Sequence, residues 1–288
     1  MGRSLFMLLL MLAVACSLKD SLAQETGFLD RTVLLDDSEH AYQVYVPRNY
    51  SSRQDWPVIV FLHGAGERGL DGMSSTHVGL GRAIRFSPEK WPAIVVFPQL
   101  PPEENWHPGT EPLAMDALDQ TLDEFATDKD RVYLTGLSMG GYGSLFLATR
   151  HPNRFAALAP VCPSIGGYYD YPLLLAADST TFSESAVAID TTNSTDSTTT
   201  IDWALASSVI AEAISGLPVW LHHGDKDLVF PVHISRDLNE ALQAQGAEVY
   251  YSEYPETGHN SWDNAYTSDD FITWLFNKRR TLKSSPVE

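Results

Sequence analysis

Ser138 stands in "TGLSMGGYG", with Gly136 two places before it and Gly140 two places after. A serine hydroxyl is a weak nucleophile until a base takes its proton, and the base needs an acid to hold its ring. The chain offers nine histidines. His259 suits the base best: it comes late, in "PETGHNSW", beside Gly258 and just past an apolar stretch at 247–251. The acid falls in "HHGDKDLVFP", where Asp225 and Asp227 are both candidates on residue type and position. Such a set performs acyl transfer through a covalent intermediate, and the tetrahedral species formed on the way needs two N–H donors. One is the amide of Met139, the residue after the serine. For the other, the glycine-rich "FLHGAGERG" lets backbone approach closely, and the amide of Ala65 is nominated. This chemistry requires no metal and no organic cofactor.

The remaining histidines fit less well. His63 opens a glycine loop and reads as structural. His222 and His223 close a strand, and a metal site built from them with Asp225 and Asp227 is disfavoured, because neighbouring strand residues point to opposite faces.

The serine must be held by its surroundings. "RVYLT" at 131–135 reads as a strand running straight into it, and 142–149 reads as a helix leaving it. A strand-to-helix turn that tight strains the central residue and leaves no room for side chains two places away, so both positions are glycine. Further runs read as strands at 41–46, 57–62, 93–97, 156–161, 217–221 and 247–251. Helical spacing appears at 113–126, 234–244 and 268–279. Continuous apolar strands alternating with helices imply a mostly parallel sheet with helices on both faces.

The chain resembles α/β-hydrolases of the phospholipase/carboxylesterase type, in particular the secreted esterase branch called "predicted peptidase" and its polyhydroxybutyrate-depolymerase-like and feruloyl-esterase-like relatives. The matching stretches are "YQVYVPRNY", "PVIVFLHGAGERG", "NWHP", "DRVYLTGLSMGGYGSLFLATRHPNRFAALAPVC", "LPVWLHHGDKDLVFPV" and "YPETGHNSW". The resemblance implies the α/β-hydrolase fold, with Ser138 as nucleophile, His259 as base and Asp227 as the acid of an H-G-x-x-D motif. It places the oxyanion amides at Ala65 and Met139 and Trp106 near the rim of the site. It implies a serine carboxylesterase, with a peptidase, a polyester depolymerase or a non-catalytic protein of the same fold as alternatives. Trp106 and Trp262, with Tyr168 and Tyr169, are the aromatic residues that could line an acyl or aryl pocket, ordinary packing being the other reading. The departure from the resemblance is the long acidic stretch after Cys162, where relatives have a short glycine-rich turn.

Composition bounds the rest. With 288 residues, 44% of them hydrophobic, the chain can bury one sizeable α/β domain. Arg3, the apolar run at 5–15 and Ser21-Leu22-Ala23 read as a signal peptide cleaved after Ala23, too short to span a bilayer. Ala13-Val14-Ala15-Cys16 resembles a lipoprotein box, which would instead leave the protein lipid-anchored at Cys16. The expected organisation is therefore a leader over 1–23 and a single domain over 24–288. Within it, a Ser/Thr/Asp-rich insertion at about 166–207 reads as a solvated surface segment. Loss of the leader would remove Cys16 and leave Cys162 without an intrachain disulfide partner. A net charge of −18 argues against nucleic acid and anionic lipid as partners. An ester, free or borne on a polymer, is the expected substrate, and the sequence sets no oligomeric state.

Overall fold

A computed structural model describes residues 25–165 and 203–280. The leader, Cys16, Tyr168, Tyr169 and most of the expected insertion lie outside the described residues.

β1 (Gly27–Leu35) and β2 (Ser38–Val46) form an antiparallel hairpin. The turn residues Asp36 and Asp37 both have positive φ, 49° and 62°, the type I′ geometry that matches strand twist. β2 then pairs antiparallel with β4 (Ile94–Phe97). From β4 onward the sheet is parallel through β3 (Trp56–Leu62), β5 (Thr127–Leu137), β6 (Ala157–Val161), β7 (Val219–Gly224) and β8 (Val249–Tyr254), in the order β1-β2-β4-β3-β5-β6-β7-β8. β3, β4 and β6 are buried along their whole length, as their unbroken apolar runs require.

The connecting helices are α1 (Leu80–Phe86), α2 (Glu111–Glu124), α3 (Met139–Arg150), α4 (Trp203–Ile214), α5 (His233–Ala244), α6 (Trp262–Ala265) and α7 (Asp269–Phe276). Alternate strand residues feed two separate cores. Val58, Val60 and Leu62 join α2 to α5 on one face, while Ile59 and Phe61 join α1, α6 and α7 on the other. α7 starts where Ser268 Oγ accepts the Phe271 N–H, with Asp269 and Asp270 in the first turn favouring the positive end of the helix dipole. Residues 203–207, expected within the insertion, instead open α4. Of these, Trp203 and Ala206 pack on the same core as α5, while Leu205 is exposed. The two cores, eight strands and flanking helices make the α/β-hydrolase fold.

Strand register brings the loops at one end of the sheet together. Leu62 pairs with Gly136, so His63-Gly64 and Leu137-Ser138 leave the sheet side by side. Gly224 pairs with Tyr254, and Lys226 N–H donates to Thr257 O at 2.9 Å, so the loops carrying Asp227 and His259 also run together.

Candidate active site

Ser138 is the single residue between β5 and α3, with φ 56° and ψ −119°. That is a strained backbone for a non-glycine residue, held by the Ser138 N–H bond to Val161 O at 2.9 Å. The flanking glycines are enforced by backbone. A β-carbon on Gly136 would stand 2.2 Å from Gly140 O. The reward for this crowding is a half-exposed hydroxyl at the N-terminus of α3.

His259 Nε2 lies 2.8 Å from Ser138 Oγ, and His259 Nδ1 lies 2.7 Å from Asp227 Oδ2. Nδ1 faces a carboxylate and therefore carries the ring proton, so Nε2 presents its lone pair and the serine hydroxyl donates to it. Asp227 is 8% exposed. Its Oδ1 accepts the N–H groups of Val229 and Phe230 at 2.8 and 3.0 Å. Burial pushes this carboxyl up, but hydrogen bonds from His223, His259 and the Phe230 amide outweigh it and hold the group well below the usual carboxylate range. Asp225 goes elsewhere: its N–H donates to Tyr254 O at 3.0 Å, and its buried Oδ1 has no partner among the described residues. Of the two acids the sequence offers, the fold brings only Asp227 to His259.

The imidazole is fixed by aromatic edges as well. The rings of Phe230 and Trp262 stand 5.4 and 5.5 Å from that of His259, both edge-on. Trp262 is half-buried and also walls a cavity of about 340 Å³ between α1 and α6, lined further by Arg82, Phe86, Trp91 and Tyr266.

The loop after β3 reaches the elbow. A β-carbon on Gly64 would meet Leu137 Cδ1 at 2.8 Å, so the chain at Gly64-Ala65 lies against the residue preceding Ser138. Ala65 opens a short 3₁₀ turn, and Met139 is the first residue of α3. Among the described residues, neither N–H donates to a backbone carbonyl outside its own helical element. His63 is buried, with Nδ1 donating to Gly64 O at 2.7 Å and Nε2 accepting the Leu100 N–H at 2.9 Å. Burial, aided by nearby Arg68 and only partly opposed by the Gly64 carbonyl, lowers its pKa to about 4. His63 thus braces the loop as a neutral ring. Arg68 adds a second brace, donating to Glu104 O and to the Asn105 side chain and reaching Met139 Sδ at 3.1 Å.

Trp106 does not sit at the rim as expected. It is 1% exposed, donates Nε1–H to His63 O at 3.3 Å and fills the space left by the absent side chain of Gly143, where a β-carbon would fall 2.5 Å from its ring. The tryptophan ties the loop to α3 from inside and has no surface to offer a ligand.

Cys162 lies just behind the triad-like set. Its sulfur, Asp227 and His259 offer ligand atoms all within 4.8 Å of one another. They make a poor metal site, because Asp227 and His259 are committed to each other and burial pushes the Cys162 thiol far up, keeping it protonated. His223, legible in the sequence only as the end of a strand, belongs to the site as well, with Nε2 at 3.2 Å from Asp227 Oδ2. Its place directly before Gly224 in the H-G-x-x-D motif was the available signal.

The Esterase family model matches residues 36–272. The chain belongs to the Esterase family. Among solved structures, the chain is similar to a thermostable esterase, at 28% identity with a TM-score of 0.67, over 88% of this chain and 63% of that one. A feruloyl esterase module from Clostridium thermocellum, in complex with sinapinate, shares the fold at 16% identity and TM-score 0.61, covering 92% of this chain and 93% of that one. An S-formylglutathione hydrolase from Staphylococcus aureus does so at 16% and 0.60, covering 89% of this chain and all of that one. A protein of Arthroderma benhamiae described as an uncharacterized secreted protein is 27% identical over 141 residues, which are 48% of this chain and 14% of that one. The chain therefore spans less than two thirds of both the secreted relative and the thermostable esterase. Among the described residues no helix is long and apolar enough to cross a membrane.

Proposed function

We propose that this esterase is a secreted serine carboxylesterase acting through an acyl-enzyme, with Ser138 as nucleophile, His259 as general base and acid, and Asp227 as the orienting acid. The observation that carries the reading is the unbroken hydrogen-bond chain from Asp227 Oδ2 through His259 to Ser138 Oγ, at 2.7 and 2.8 Å, on a serine with φ 56°. His259 Nε2 takes the hydroxyl proton as Ser138 Oγ attacks the ester carbonyl. The Met139 and Ala65 amides receive the oxyanion. As the tetrahedral species collapses, His259 returns the proton to the departing alcohol. Water, deprotonated by the same nitrogen, then attacks the acyl-enzyme, and Ser138 leaves with the proton restored. Asp227 stays a carboxylate throughout.

The preferred substrates are small or aromatic carboxylic esters, with Trp262 flanking the reacting centre. The functional unit is one domain over 24–288. It is exported by the leader ending at Ala23, with lipid anchoring at Cys16 as the competing outcome.

The test is a panel of p-nitrophenyl esters, methyl ferulate, acetyl-xylan and peptide amides with wild type and Ser138→Ala. Ester turnover in the wild type should fall on the order of 10⁶-fold in the variant. Hydrolysis of peptide amides with none of any ester would overturn the ester assignment, and ester turnover unchanged in Ser138→Ala would overturn the nucleophile. N-terminal sequencing of exported material should begin at Gln24. A start at a lipid-modified Cys16 would establish the anchored form.

A further inference from the structure

His223 has no part in the acyl-transfer steps, yet its ring is wholly buried against the residue that orients the base. Nδ1 lies 2.7 Å from Ser235 Oγ, in the first turn of α5. Nε2 lies 3.0 Å from Phe230 O and 3.2 Å from Asp227 Oδ2. A carbonyl and an ionised carboxylate can only accept, so Nε2 carries a proton, and in the neutral ring the Ser235 hydroxyl donates to Nδ1. The hydrogen bond of Nε2 runs to Phe230 O, and the same N–H edge lies beside Asp227 Oδ2, which therefore stands between two imidazoles, His259 at 2.7 Å and His223 at 3.2 Å.

The carboxylate torsion of an aspartate is soft. The two backbone bonds at Asp227 Oδ1 anchor one oxygen. A donor from outside the catalytic set is what anchors the other. We propose that His223 is a positioning residue for Asp227. Its Nε2–H keeps Oδ2 aimed at His259 Nδ1, and by drawing charge from that oxygen it keeps the shared proton on the His259 nitrogen while His259 accepts the serine proton. His223 itself neither gives nor takes a proton in the cycle. The role rests on the triad reading of Ser138, His259 and Asp227. Ser235 belongs to the same device, because its hydroxyl bonds Nδ1 and holds the ring with Nε2 toward Phe230 O and Asp227.

The alternative is that His223 merely fills space, in which case a leucine would serve. The experiment compares wild type, Ser138→Ala, His223→Leu, His223→Gln and Ser235→Ala by steady-state hydrolysis of p-nitrophenyl acetate and by the low-field proton NMR resonance of the His259 Nδ1–H. His223→Leu should lower kcat about tenfold to a hundredfold, the scale of one hydrogen bond to a charged group, with KM little changed. It should also move the low-field resonance. His223→Gln, whose side-chain amide can reach Asp227 with an N–H, should recover most of kcat and return the resonance toward its wild-type position. Ser235→Ala should lower kcat severalfold in the same direction, and it decides the matter if His223→Leu does not fold. An unmoved resonance and unchanged kcat in the folded variants, with Ser138→Ala inactive, would overturn the role of His223 and leave the triad standing. Full activity in Ser138→Ala would overturn the triad reading and the role of His223 with it.

Discussion

The carbonyl oxygen of Leu62 lies 2.0 Å from the point that a β-carbon on Gly140 would occupy. The first turn of α3 is thus pressed against the end of β3, and this contact places the N-terminus of the helix beside the loop that leaves Leu62. The obstructing atoms belong to backbone inside a parallel sheet and cannot rotate away. Gly140→Ala should destabilise by about 3 kcal/mol or more, at or beyond the upper end of ordinary overpacking, and should lower kcat because relief requires moving Ser138. Gly66→Ala is the control. It stands in the neighbouring loop with nothing within 4 Å of its virtual β-carbon, and its stability should stay within about 0.5 kcal/mol of wild type. Urea denaturation of both variants checks the contrast, and equal midpoints would refute it.

Of Asp227 and Asp225, only Asp227 bonds the imidazole of His259. Asp227→Asn keeps the shape but leaves an amide where His259 Nδ1–H needs an acceptor, and kcat should fall on the order of 10⁴-fold. Asp225→Asn should cost less than tenfold, because Asp225 makes no contact with the imidazole. Comparable losses in the two variants would reassign the acid.

What the sequence could reveal depended on how far each feature relied on distant packing. β3 and β6 are buried on both faces, so their apolar runs are continuous and legible. β1 is an edge strand carrying Asp30 and Arg31, half-exposed along much of its length, and no periodic signal marks it. α1 is short, with Gly81 and two arginines among its seven residues, too little for a 3.6-residue pattern. Ser138, His259, Met139 and Ala65 could be nominated because local backbone demands place them on adjacent loops. Between Asp225 and Asp227 the residues alone were silent, since the choice depends on how the turn after β7 folds. The burial of Trp106 rests on a missing β-carbon at Gly143, far along the chain, and nothing local announces it.

Trp106 and Trp262 should separate cleanly by measurement. Trp106→Ala empties a filled core site and should destabilise by about 3–5 kcal/mol. Trp106→Phe should lose only the bond to His63 O, leaving KM for small esters nearly unchanged. Trp262 touches His259 and faces the cavity beside α1. Trp262→Ala should therefore raise KM for aromatic esters by several-fold while shifting the thermal midpoint much less than Trp106→Ala. A large stability loss in Trp262→Ala with unaltered KM would make it another packing residue.

Acid sensitivity should begin well above the carboxylate range, because two histidines are held neutral in the core. Burial lowers the pKa of His222 to about 3, and burial with the help of Arg68 lowers that of His63 to about 4. Both titrate near 6.5 once the chain unfolds. The folded values are depressed, so below about pH 6.5 the unfolded chain takes up protons that the folded protein refuses. The stability these residues contribute is complete above that pH and drains away as the pH falls toward 4 and then 3. Each histidine adds a slope of up to about 1.4 kcal/mol per pH unit in that window. His222 stacks on Trp220 and Tyr254, with Nδ1 bonded to Tyr254 Oη at 2.9 Å and Nε2 without a partner among the described residues. His222→Phe keeps the stack and removes the titration. Urea midpoints measured from pH 8 to pH 4.5 should fall less steeply in His222→Phe than in wild type, with the two curves closest at high pH after allowance for the lost tyrosine bond. Parallel curves across that range would show that His222 does not drive the acid loss.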